Sequence, residues 1–246
     1  MIDFIYLIIF CFFFSISAMS NGVVQVHHEM ITYDSLDART EVKLLQAQLF
    51  NEEDQKTAKD LQKYLLSTKE DLSWILDDQV HKFVKSFLNN NTNDKDSSAE
   101  SKPSSSQEAK IRILRILAIC ALKENFINFL NLDRKDRVIM NYASTFQDIT
   151  NLTEQKALAM LICNLFAHPQ TSSYALYFSQ WTRSNSRPET EDQLDDANIC
   201  LQEEKCSNAH IVVQLASNCL YSKNPFLIQI GSAIMMNISF KHVKGM

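Results

Sequence analysis

Two asparagines stand out among the residues able to do chemistry, because the stretch around one is repeated around the other. Lys156 to Phe166 reads KALAMLICNLF, and Gln229 to Ser239 reads QIGSAIMMNIS. At about 100° per residue, Leu158, Leu161, Ile162 and Leu165 share one helical stripe, as do Gly231, Ile234, Met235 and Ile238. Asn164 and Asn237 fall well off that stripe, on the flank that also carries Ala157 and Met160 in the first copy. A primary amide offers donor and acceptor together, so an amide displayed on a helix can hold the backbone of an extended peptide. The pattern also allows a plainer use, in which each asparagine is solvated or bonds a neighbouring helix. Arg112 and Arg115 interrupt the apolar run IRILRILAICALKENFINFL three residues apart, hence on one face. An arginine there can pair bidentately with a carboxylate, or lie over apolar neighbours with its head in water.

The residues of common enzyme chemistry are not arranged for it. The histidines, His27, His28, His81, His168, His210 and His242, have no ligand spacing, and no metal site is expected. Three scattered glycines allow no phosphate loop, and there is no G-x-S-x-G elbow. Asp77-Asp78 and Asp195-Asp196 lie in polar surroundings and read as solvated pairs. The six cysteines show no C-x-x-C; Cys120, Cys163 and Cys219 sit in apolar runs as small hydrophobes. Cys200 and Cys206 share an acidic stretch and could pair, the reduced state being the expectation. A non-catalytic chain without a cofactor follows from these patterns.

The elements that must position the asparagines are helices. Hydrophobic residues make up 46% of 246, with only 3 glycines and 4 prolines, so turn-formers are scarce and an all-α fold is expected. The two asparagine segments lie 73 residues apart. Subtracting the polar stretch 183–208 leaves a period close to that of an armadillo-type unit, roughly 40–47 residues. The architecture read from this is an armadillo-like helical solenoid with a peptide-binding groove. Net charge is −5, with acidic inserts and a mildly basic helical body. That is too weak for a nucleic-acid footprint and compatible with an acidic peptide.

Along the chain, residues 1–20 form an apolar leader with an uncharged run from Phe4 to Ser17, too short for a comfortable membrane span. It fits a signal-peptide core, although Asp3 and the missing basic residues make a poor start; translated non-coding sequence is the other reading. A membrane or secretory connection is expected only if this leader is genuine, and otherwise a cytoplasmic or nuclear protein. In the secretory pathway the Asn90 sequon would take a glycan readily, whereas one on Asn237 would sit inside a helix. Residues 30–88 form an N-terminal helical part that opens with an extended piece, Met30 to Asp34. Residues 89–107 are a low-complexity tract expected to be disordered. Residues 108–246 form the repeat body, with breaks at His168-Pro169 and Asn224-Pro225.

Three segments in order resemble the PUL domain, the C-terminal domain of the phospholipase-activating protein and its ubiquitin-fusion-degradation relatives. MITYDSLDARTEVKLLQAQLF is similar to that domain's opening, and KIRILRILAICALKENF to its first core helix. KALAMLICNLF and IQIGSAIMMNISF resemble its two asparagine-bearing helices. The resemblance runs from Met30 to Phe240. It implies an armadillo-like adaptor that binds the C-terminal tail of the AAA ATPase valosin-containing protein, in ubiquitin-linked degradation. It also implies that Arg115, Asn164 and Asn237 line the groove. The module is found fused to thioredoxin-like and isopeptidase-like domains too, so a regulatory or recruiting tail of such an enzyme is the alternative. Two departures stand against full equivalence. Met160 replaces an arginine common in the family, and the family continues with further helices where this chain stops, as a domain truncated at its C-terminus would.

Overall fold

The computed structural model describes residues 30–67, 74–89, 103–182 and 205–244. The leader, most of the low-complexity tract including Asn90, and most of the acidic stretch including Cys200 and Asp195-Asp196 lie outside them. The described chain is built of helices: α1 (Ala38–Gln46), α2 (Glu52–Leu66), α3 (Asp78–Leu88), α4 (Pro103–Cys120), α5 (Ile127–Asp136), α6 (Val138–Ser144), α7 (Leu152–Asn164), α8 (Pro169–Ala175), α9 (Asn208–Leu220) and α10 (Pro225–Lys244). Between α8 and α9, β1 (Trp181–Thr182) and β2 (Lys205–Cys206) pair antiparallel, Trp181 opposite Cys206. The fold is all-α, as composition required.

Capping explains most helix starts. Asp37, Asn51, Asp77, Asn151 and Ser207 each accept a backbone N–H of the following turn through the side chain. Asp77 and Asp78 are both exposed, and Asp77 is in addition the cap of α3. Proline begins three helices, at Pro103, Pro169 and Pro225, where its missing N–H has no helical partner to lose. Helix α4 thus starts inside the tract expected to be disordered, and α8 starts at the Pro169 break.

The long apolar run after Lys110 is two helices, not one. It stops at Cys120, where Leu122 and Lys123 donate to carbonyls three residues back and tighten the end. Lys123 has a reason to leave the helix. Its Nζ donates to the carbonyls of Tyr64 and Ser67, 2.7 and 2.8 Å, capping the end of α2. A second break is sharper. Arg137 is left-handed at φ 51, and joins α5 to α6 without a loop. Asp133 accepts from Val138 N at 2.9 Å, and the Arg137 guanidinium lies 4.8 Å over the Trp181 ring. Those contacts offset a conformation that disfavours residues with a side chain by roughly 1–2 kcal/mol.

Three helices, α4, α7 and α10, lie side by side and run the same way. Near their starts Lys110 faces Glu154 at 4.0 Å, and Lys156 lies over the Phe226 ring. Toward their ends Asn164 reaches the Ala118 carbonyl, and Asn237 reaches Cys163. Helix α9 backs α10 so closely that a Cβ on Gly231 would stand 2.8 Å from the Ala216 carbonyl oxygen. Helices α1 and α3 pack against α4.

Candidate functional site

The two asparagines are fully buried, and what covers them is the chain's own extended start. Asn237 accepts from Ile31 N through Oδ1 at 2.9 Å and donates through Nδ2 to Ile31 O at 2.8 Å. Asn164 does the same to Tyr33, accepting from N at 2.7 Å and donating to O at 2.8 Å, with a second donation to Ala118 O at 2.9 Å. Residues two apart in an extended chain present N–H and C=O to one edge, about 6.6 Å apart. Neighbouring helices stand roughly 8–10 Å apart, so side chains from α10 and α7 can meet successive rungs. Each amide makes a two-point grip on one residue's backbone, as a partner strand would. Cys163 adds a contact from Sγ to Ile31 O at 3.4 Å. Burial pushes that thiol up to about 12, so it is no nucleophile near neutrality.

The sequence places the asparagines on a face for display. The structure places them on one face of adjacent helices and puts residues 30–36 of the same chain upon it, which we call the arm. The separations are 206 and 131 residues. Met160, on the same flank, is 5% exposed. An arginine at that position, as the resembled family often has, would therefore have to lose water or displace what covers it.

Beyond the arm, α1 carries Glu41 onto α4. Its carboxylate takes Arg112 Nη1 on one oxygen at 2.9 Å and Arg115 Nη1 on the other at 3.2 Å. Arg112 also pairs with Glu108 one turn earlier. Arg115, expected to await a ligand's carboxylate, has an internal one. Between the arm and the helix starts lies a half-open strip. The Tyr33 ring meets Phe226 edge-on at 5.8 Å, and Lys156 lies 5.4 Å over the other partner of that contact, Phe226. Burial, with the Cys163 thiol nearby, pushes the Tyr33 hydroxyl up to about 12. Lys156 adds a positive charge to this strip, while Arg112 and Arg115 on α4 are paired with Glu41 and Glu108.

A second polar cluster sits deep in the molecule. Asp133, with no exposed surface, accepts from His81 Nε2 at 3.0 Å, Tyr174 hydroxyl at 2.7 Å and Val138 N. Burial and the adjacent carboxylate hold the Tyr174 hydroxyl well above its ordinary value. A buried carboxylate, imidazole and phenol could in principle transfer protons. Here each is buried and hydrogen-bonded where α3, α5, α6 and α8 meet. No described cluster of three or more His, Cys, Asp or Glu could hold a metal, and no described helix is long and apolar enough to cross a membrane.

Sequence reasoning missed Glu41, Tyr33, Phe226 and Lys156 as parts of the face. Lys156 had a readable signal: it lies eight residues before Asn164 and so on its side of the helix. Glu41 had none, because its partners are more than seventy residues away. Comparison of the chain with protein-family models, with curated proteins and with solved structures finds no match in any of the three.

Proposed function

We propose that this chain is a non-catalytic peptide-binding adaptor of armadillo-like, PUL-like architecture. Its receptor face is the row α4, α7 and α10 with the arm laid across it. One observation carries the reading: Asn164 and Asn237 each close two hydrogen bonds on the backbone of an extended segment. A face that grips main chain rather than side chains is a peptide-recognition surface in its chemistry. In this reading the arm is a fixed wall of the groove, and the asparagines hold the wall. The ligand lies beside it, along the strip where Lys156, Phe226 and Tyr33 are half-open and where Arg115 and Arg112 bring positive charge. An acidic C-terminal tail, such as that of a valosin-containing-type AAA ATPase in ubiquitin-linked degradation, has the complementary charge.

The test is a titration of a fluorescent acidic C-terminal peptide against the full chain, Arg115→Glu and Lys156→Glu, at two salt concentrations. The reading expects binding that weakens with salt and falls in both variants by more than the 0.2–1 kcal/mol or so of an exposed charge pair. Equal binding by all three proteins would remove the groove assignment.

A further inference from the structure

The clearest feature that this reading leaves unused is the way two guanidiniums share one carboxylate. Arg112 and Arg115 each give only Nη1 to Glu41, one to each oxygen, at 2.9 and 3.2 Å. The Nε of each arginine is buried and has no hydrogen-bond partner. Arginine pairs best with a carboxylate through two parallel N–H groups, and a buried donor without an acceptor costs about 1–3 kcal/mol. Two such orphans side by side mean that Glu41 holds these arginines without satisfying them. The cluster still reaches water, since the side chains of Arg112 and Arg115 keep 17% and 22% of their exposure. Glu41 itself stands on α1, a helix of nine residues held to the body mainly through Val42 and Leu45. Val42 and Leu45 are fully buried, so α1 stays seated, and Glu41 would leave the arginines by rotation of its own side chain.

We propose that Glu41 is a built-in stand-in for a ligand carboxylate, a specificity-determining residue that occupies Arg112 and Arg115 until an acidic peptide replaces it. The inference rests on the peptide-binding reading above, and deepens it. A ligand carboxylate that takes Arg115 through Nε and Nη pairs a donor that is unpaired in the free protein. A single stray carboxylate gains too little to displace Glu41, whereas several acidic side chains in a row compete effectively. The ligand class is therefore a peptide with clustered carboxylates, and weakly acidic peptides are refused.

The probe is fluorescein-labelled hexa-aspartate with a free C-terminus, titrated into the full chain, Glu41→Gln, Glu108→Gln and Arg115→Glu at low and moderate salt. Glu41→Gln is expected to bind about 3- to 10-fold tighter than wild type, since one competing charge is gone. Glu108→Gln is expected to change binding less, because Glu108 touches only Arg112. Arg115→Glu is expected to lose most binding. Equal or weaker binding by Glu41→Gln, with Arg115→Glu still impaired, makes Glu41 a structural residue and overturns the proposal alone. If wild type and Arg115→Glu bind alike, the charged face itself is wrong, and both readings fall. Should Glu41→Gln fold poorly, wild type supplies the answer by NMR. The Nε–H signals of Arg112 and Arg115 should shift and sharpen on adding hexa-aspartate while the Glu41 carboxyl carbon moves toward its solvated value. A Glu41 signal unmoved at saturation contradicts displacement.

Discussion

Two of the fastenings that hold the residues before the low-complexity tract to the later helices are unlike in kind. At one end Asn164 and Asn237 grip the main chain of Tyr33 and Ile31. At the other, Asp133 takes the side chain of His81, along with Tyr174 and the start of α6. The first fastening asks nothing of the side chains it holds; any extended residue offers the same N–H and C=O. The second works only with these three side chains in one dry place. A backbone clasp recognises shape and is suited to binding, whereas a buried side-chain hub specifies one structure and is suited to stability. That difference is why the proposed binding role is placed on the clasp and a structural one on the hub.

Breaking the hub should have the largest effect. Asp133→Ala leaves Val138 N and the Tyr174 hydroxyl buried without an acceptor, with an expected loss of roughly 3–5 kcal/mol. Denaturant midpoints at constant slope measure it, and Asp133→Asn should recover part by keeping one acceptor oxygen. Next comes Gly231→Ala. The added methyl would meet Ala216 O, Cys219 Cβ and Leu220 N at 2.8–3.0 Å, so α10 must move off α9. A cost of about 1–3 kcal/mol is expected, although alanine is the better helix former by nearly 1. This change should loosen the clasp through Asn237 and leave the hub's Tyr174 environment untouched, which aromatic NMR shifts can verify.

Truncating the clasp itself should cost less, and unequally. Asn164 serves three backbone groups, Tyr33 N, Tyr33 O and Ala118 O, whereas Asn237 serves only the two of Ile31. Asn164→Ala is expected to lose about 1–3 kcal/mol and Asn237→Ala to fall toward the lower end. Equal losses in thermal melts would mean that the Ala118 bond contributes nothing. The smallest effect is on alkaline behaviour. Tyr33 ionises near 12 with the arm in place, against an ordinary value of 10. Its contribution to docking is whole below pH 10 and is lost as pH rises through about 12. The tyrosinate absorbance difference between wild type and Tyr33→Phe should therefore titrate late; a midpoint near 10 would place the ring in water.

What the sequence could reveal follows the range of the interaction. The extended start at Met30 to Asp34, the all-helical body and the kinship of the two asparagine helices are local patterns, and they are present in the structure. The occupant of the asparagines is not local. No periodicity links Ile31 to Asn237 across 206 residues, so an amide facing solvent and an amide facing the arm look the same in the chain. Asp133 was hidden for a related reason. NLDRKDR reads as charged surface, and the residue is buried only because His81 and Tyr174 arrive from distant helices. The end of α4 was missed because apolar periodicity continues past it, while Lys123 is drawn away by the carbonyls of α2.

A pair of side-chain amides holds alternate residues of an extended backbone. Among the described residues, Ile31 N and Tyr33 N are bonded to the clasp, and Thr32 N and Asp34 N have no hydrogen-bond acceptor. Residue-resolved amide hydrogen exchange on the full chain tests this most directly. Exchange should alternate, with Ile31 and Tyr33 protected and Thr32 and Asp34 exchanging fast, and Asn164→Ala should abolish protection at Tyr33 before Ile31. Uniformly fast exchange from Ile31 to Asp34 in the wild-type chain would contradict the clasp.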